Sequence, residues 1–320
     1  MKKFILFFPI LALAIQPVLL KESTAIGHSM EVYSEKNLYH ASFTYDTGNS
    51  EFIPIAEFTL YDANNAIVFH KNNFGHTLFD IGDDGVVVGI DYDGPISGKG
   101  TLHFYNVQGA ETGTVEIGFL MVRSFSENGA VYCVHDGING VRVFDNAGKE
   151  LYNLGKANSC ALSRDGDLIA LATDDQVILF KSGQEIGRIP IGSPFIRQMV
   201  FSRDGSLFAF IDRKLLVVYG LLEKAVMFKR EEITGKLEYI SVGISHDNSL
   251  VAVGEDEDLG RDVQNRHARG LVNLLDQNGD VQWQTAIPYK TWNAFIPIVA
   301  FTDEQTFTVT TVENAFEYRF

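Results

Sequence analysis

The chain has 320 residues, of which 46% are apolar and 24 are phenylalanine; that is enough to bury an extended core, and it excludes a disordered chain. Its 41 acidic and 26 basic residues give a net charge of -15, a field that repels phosphate backbones and anionic headgroups and so excludes nucleic acid as the expected partner. Two cysteines exclude a disulfide scaffold: Cys133 and Cys160 each sit in an apolar run, VYCV and SCAL, and read as small buried hydrophobes, although export would permit a bond between them.

Residues 1–25 open with Lys2 and Lys3, continue through FILFFPILALA and then turn polar, as a secretory signal peptide does. The run is shorter than the roughly 20 residues of a spanning helix, so no membrane insertion is expected after its removal. Ala12-Leu13-Ala14 and Ser23-Thr24-Ala25 offer cleavage after Ala14 or after Ala25. The expected location is periplasmic or extracellular, with residues 26–320 as a single domain.

From Tyr33 onward one pattern recurs, a polar turn followed by a β run. Its copies are YSEKNLYHASFTYD (from Tyr33), DIGDDGVVVGIDYD (Asp80), FSENGAVYCVHD (Phe125), LSRDGDLIALATD (Leu162), FSRDGSLFAFID (Phe201), ISHDNSLVAVGED (Ile244) and FTDEQTFTVTTVE (Phe301). In the clearest copy, Met199–Ser202 and Leu207–Ile211 flank an Asp204-Gly205 turn, and Leu215–Tyr219 with Ala225–Lys229 add a second hairpin. Equivalent positions lie roughly 37 to 57 residues apart, the size of a propeller blade. Every copy except the last is followed by a complete second hairpin. The last has only AFEYRF, so its outermost strand is missing, and QPVLLKE (Gln16 to Glu22) is the β-like segment available to supply it.

Tyr61-Asp62, Phe144-Asp145 and Leu275-Asp276 stand where a Trp-Asp pair would, after the third strand of their units, although no Trp-Asp dipeptide occurs and no Gly-His signature is read in the repeat. With the FSRDGSLFAF turn, this resembles the WD-repeat-like β-propellers. The Asp-x-x-Gly-like hairpins and VQWQ at Trp283 are equally similar to quinoprotein-type propellers. The resemblance implies an all-β propeller of four-stranded antiparallel blades, the last blade closed by an N-terminal strand; the seven copies imply seven blades, and a monomer is expected.

In such a fold the loops between second and third strands share one face with the blade connections. The long ones are expected at Thr47 to Ile55, Asp93 to Gly100 and Glu255 to Gly270, and long loops in compact repeats carry function. The last reads EDEDLGRDVQNRHARG. Asp256, Asp258 and Asp262 around Gly260 have a spacing at which short carboxylates converge on a hard cation, which makes calcium the candidate cofactor, although the distal glutamate of a calcium loop is missing. Arg261, Arg266, His267 and Arg269, with Tyr289, Lys290 and Trp292 from the next blade connection, have the composition of a protein or glycan contact. An acidic residue also ends each second strand, at Asp46, Asp91, Asp136, Asp174, Asp212, Glu255 and Glu313; as a group these read either as a ring or as turn residues.

Nucleophile motifs are absent. Ser245-His246-Asp247 cannot act as a triad on one hairpin turn, and GPISGKGT has the wrong spacing for a phosphate loop. The expected function is a non-enzymatic platform for a protein or glycan. The alternative is a propeller enzyme, a hydrolase, lyase or quinone-dependent dehydrogenase, with a site at the central channel, where Arg197, Gln198 and Tyr239 are the conspicuous polar residues.

Overall fold

The computed structural model describes residues 30–33, 38–45, 54–92, 99–118, 120–126, 128–137, 139–261, 266–287, 297–301, 306–310 and 315–319. They form seven antiparallel sheets, each a meander in chain order. The first comprises Met30–Tyr33, Tyr39–Tyr45, Ile55–Asp62 and Ile67–Asn72, and the second Leu78–Ile81, Val87–Tyr92, Lys99–Tyr105 and Glu111–Gly118. The third comprises Leu120–Phe125, Val131–Asp136, Gly140–Asp145 and Glu150–Gly155, and the fourth Ser159–Leu162, Leu168–Ala172, Gln176–Lys181 and Gln184–Pro190. The fifth holds Gln198–Phe201, Leu207–Ile211, Leu215–Gly220 and Ala225–Glu231, and the sixth Leu237–Ile244, Val251–Arg261, Arg266–Leu275 and Val281–Ile287. The last has three strands, Ile298–Phe301, Thr306–Thr310 and Ala315–Arg319. Its expected fourth strand, Gln16 to Glu22, lies outside the described residues, as do the whole leader and both cleavage sites.

The first strands of the third to seventh sheets approach one another in sequence, which places them innermost. Burial follows from that position. Leu207–Ile211 is buried on both faces, so it reads as a continuous apolar run rather than an alternation, whereas the outer strand Ala225–Glu231 is mostly exposed. The core is divided into clusters that each lie between consecutive sheets. Phe58, Phe74, Phe79 and Tyr105 join the first to the second; Phe104, Tyr132 and Phe144 the second to the third; Trp283, Phe307 and Tyr318 the sixth to the seventh. Cys133 and Cys160 face each other between the third and fourth sheets as free thiols, with their Sγ atoms 3.4 Å apart.

The turn of the repeat is built from side chains as much as from backbone. Ser202, 1% exposed, donates from Oγ to Asp204 Oδ1 (2.8 Å) and accepts from the Leu207 N–H (2.9 Å), while the Ser206 N–H donates to the same carboxylate (2.9 Å). Gly205 closes the turn at φ 69°, where a Cβ is disfavoured. The arrangement recurs at Ser126 with Asn128, at Ser163 with Asp165 and at Ser245 with Asp247. In the last copy Asn248 takes the glycine's place at φ 63°, as asparagine tolerates. Ser245 is therefore committed to holding its turn, and His246 lies against Arg203 (3.0 Å).

The segment from Glu255 to Gly270 differs from expectation. Its described residues, 255–261 and 266–270, continue the sixth sheet's second and third strands, of 11 and 10 residues, rather than forming an irregular loop there. Pairing runs Asp256 to Gly270, Glu257 to Arg269, Asp258 to Ala268, Gly260 to His267 and Arg261 to Arg266. Antiparallel pairing satisfies the backbone of this polar segment, and opposite charges meet across it: the Arg269 guanidinium donates to the Glu257 carboxylate.

Candidate functional site

Among the described residues the flanking strands do not follow this extension to its end. The first strand of the sixth sheet pairs with the second only as far as Leu237 opposite Glu257, and the fourth pairs with the third only as far as Gly270 opposite Ile287. Beyond those points Asp258–Arg261 and Arg266–Ala268 pair only with each other among the described residues. The result is a two-stranded ribbon whose outer backbone edges have no neighbouring strand there among the described residues. Among the described residues no other strand exceeds eight residues.

Arg261, Arg266 and His267 lie on this ribbon by backbone position, and Arg269 at its base is exposed and paired with Glu257. Asp256 is buried in the paired part of its strand, opposite Glu238 and Gly270. Asp258 is on the ribbon backbone, its side chain outside the described residues, and Asp262 lies wholly outside them. Tyr289, Lys290 and Trp292 also lie outside. Of the expected contact set, Arg261, Arg266, His267 and Arg269 thus share one hairpin by backbone position.

The carboxylates that end the second strands do not act as a common ring. Asp136, fully buried, accepts from the Asn139 N–H (2.6 Å) and Nδ2 (2.7 Å). Asp212 accepts from the Lys214 and Leu215 N–H groups (2.6 and 2.7 Å), and Asp174 from Asn158 Nδ2 (2.9 Å). These three serve turns and connections; Asp46 and Glu313 lie outside the described residues. Glu255 and Asp91 differ.

Glu255 is 2% exposed at the base of the ribbon. Burial pushes its carboxyl up to about 7, against the lowering pull of Arg230 and of the hydrogen bond from Asn273. Asn273 is itself buried and accepts at Oδ1 from Gln284 Nε2 (2.7 Å). A carboxyl at this value is half ionised near neutral pH, so the root of the ribbon carries a titrating group.

Asp91 belongs to a second polar cluster, between the first and second sheets. His76, buried in the connection that enters the second sheet, sets Nδ1 against Asp91 Oδ1 (2.7 Å) and Nε2 against the Tyr105 hydroxyl (2.6 Å). His103 sets Nε2 against Asp91 Oδ2 (3.2 Å) and Nδ1 against Glu111 Oε1 (3.3 Å). Strand register produces this: His103 lies opposite Gly89 on the second strand, and Tyr105 opposite Val87, so both side chains share a face with Asp91. Glycine at 89 makes room, since a Cβ there would fall 2.2 Å from the His76 ring. Burial, then Glu111 and Asp91, hold the Tyr105 hydroxyl neutral, far above its usual range. Sequence reading missed this cluster. Its one local signal is Gly75-His76, which lies before the turn on which the copies are aligned and corrects the reading that no Gly-His signature is present.

The polar residues near the channel are occupied by the fold. Arg197 donates to the Tyr239 carbonyl (2.9 Å) and to Glu238 (2.7 Å), and Gln198 accepts from the Val242 N–H (2.9 Å). Tyr239 is buried, and burial raises its hydroxyl to about 12.

No protein-family model and no curated protein matches the sequence. Solved structures do match in shape. Hsv2 of Kluyveromyces marxianus aligns at a TM-score of 0.61 and 11% identity, over 90% of this chain and 91% of its own. The C-terminal WD40 domain of Sif2 aligns at 0.61 and 11%, over 93% and 83%. The β-propeller domain of Myceliophthora thermophila Cps50 (Swd1) aligns at 0.55 and 11%, over 95% and 100%. At such identities the likeness concerns architecture, and with the repeated four-stranded meanders it assigns this chain the fold of the WD40-type β-propellers.

Proposed function

We propose that the chain is a non-enzymatic propeller platform, exported from the cell, that binds a protein through the ribbon of the sixth sheet. The observation that carries this reading is the ribbon itself. An isolated two-stranded ribbon is marginal in water, and open strand edges invite pairing with another chain. Extended beyond every other described strand, none of which exceeds eight residues, this hairpin offers a partner strand-edge hydrogen bonds, with Arg261, Arg266 and Arg269 on it or at its base, in a chain of net charge -15. Strand addition gives affinity from the backbone and selectivity from side chains, and the arginines favour an acidic, extended segment of the partner.

The same reading takes the seven sheets as seven blades, the last completed by Gln16 to Glu22. N-terminal sequencing of the exported protein tests it: a start at Ile15 keeps that strand, and a start at Ile26 removes it.

The test of the interface replaces Asp258 to Ala268 by Asn-Gly, which closes the Glu257–Arg269 pair with a two-residue turn. Cross-linked pull-downs from the exported fraction should recover a partner with the native protein and lose it with the shortened one, at an unchanged melting temperature. Retention of every partner would place the interface elsewhere.

A further inference from the structure

From the cluster between the first and second sheets we infer a binding site for one divalent transition-metal ion of the zinc class, held by His76 Nδ1, Asp91 and His103 Nε2. It is separate from the ribbon and independent of the reading given for it.

The ligand-bearing atoms of these three residues all lie within 4.8 Å of one another. Both nitrogens already face the two oxygens of one carboxylate, at 2.7 and 3.2 Å; around an ion bonded at about 2.0–2.2 Å neighbouring ligands stand about 3.3–3.6 Å apart, so the second contact nearly has that spacing and the first needs to widen by less than about 1 Å. Without metal, protons bridge these contacts; a cation takes their place between the same atoms. The rings are 4.6 Å apart at 32°, and His103, 20% exposed, can turn to close the remaining gap.

The far sides of the imidazoles carry the second half of the inference. Metal-bound histidine holds its other N–H on an oxygen, which fixes the tautomer and the ring plane. Both do so here: His76 Nε2 lies against the Tyr105 hydroxyl, which is itself hydrogen-bonded to Glu111, and His103 Nδ1 lies against Glu111. Glu111 thus orients both rings from outside the ligand set. A strut that only tied the connection to the second sheet would need His76 alone, bridging Asp91 to Tyr105; His103 and Glu111 add nothing to that join. Two nitrogens and one carboxylate select zinc-class ions over calcium or magnesium, which prefer all-oxygen sites. Asp91, 38% exposed, leaves a solvent route and a fourth position for water.

The experiment uses tag-free protein, stripped with chelator and titrated with zinc chloride in a calorimeter. One ion per chain is expected, with a rise in melting temperature on zinc and none on calcium. Cobalt(II) should give the visible spectrum of a nitrogen- and oxygen-ligated ion. His103→Ala should weaken zinc binding at least tenfold while melting like the native protein in chelator. Glu111→Gln should weaken it less, and His246→Ala, remote from the cluster, should leave it unchanged. Asp91→Asn should abolish it; if that variant does not fold, His103→Ala decides alone. No heat from the native protein, or equal affinity in His103→Ala, would reduce the cluster to a hydrogen-bonded strut and overturn the site.

Discussion

Replacing Glu255 by glutamine removes a titrating group from the base of the ribbon without removing its shape. Burial raises this carboxyl from 4.5 to about 7 in the folded protein. Between those values the folded chain holds a proton that the unfolded chain has released, so stability falls as pH rises from the lower to the higher and then stays level. At about 1.4 kcal/mol per pH unit, the full cost of burying the ionised group is about 3 kcal/mol above pH 7. Glutamine carries no such cost and still accepts from Asn273. The variant should therefore be more stable than the native protein by up to about 3 kcal/mol at pH 8.5, and the gap should shrink to within about 0.5 kcal/mol at pH 4. Urea denaturation at a series of pH values, with the slope m checked for constancy, measures it. A gap that does not change with pH would show that Glu255 is not the titrating group, and a native protein more stable than the variant at pH 8.5 would show that Arg230 overcomes the burial.

Three further outcomes follow from the packing. Ser202→Ala leaves the Leu207 N–H without the serine oxygen that accepts its hydrogen bond and frees Asp204 from one donor; equilibrium unfolding should show a loss of about 1–3 kcal/mol. Burial first raises the Asp204 carboxyl, but the Ser206 N–H and the side chains of Asn248, Ser202 and Ser206 bring it down to about 2. Its share of stability should thus be complete above the usual carboxylate value and be lost as pH falls through about 2, a slope that acid titration of Ser202→Ala should show reduced. The Cys133 thiol is pushed up by its hydrogen bond with Cys160 and by burial, so a thiol reagent at pH 8 should leave both cysteines unmodified in native, reduced protein and label both in urea. Gly89→Ala drives a methyl into the His76 ring and should cost about 1–3 kcal/mol by calorimetric melting.

The repeat was legible because each hairpin turn is specified locally. Ser-x-Asp-Gly encodes its own hydrogen bonds, and the flanking runs are apolar because those strands are buried on both faces. Observed and expected strands around Asp204-Gly205 differ by one or two residues at their ends. The sixth-sheet extension was read as a loop because its charges and Gly260 lack β character; cross-strand charge pairing such as Glu257 with Arg269 becomes visible only once the register is known. The cluster at His76 was not legible for a related reason. Its members lie in one connection and three different strands, and only the strand register puts His103 opposite Gly89 and beside Asp91. The carboxylates at second-strand ends look alike in sequence, yet Asp136 and Asp212 accept from backbone N–H groups of their own turns while Glu255, one methylene longer and buried, accepts from the Asn273 side chain of the neighbouring strand.

The central claim is that the ribbon is the surface a partner covers. Hydrogen exchange of the backbone amides, measured with and without the captured partner, tests it most directly. Protection gained at Asp258 to Ala268, with the repeat turns at Ser163 and Ser202 unchanged, is the result the account predicts; protection confined to those turns, with the ribbon still exchanging freely, would contradict it.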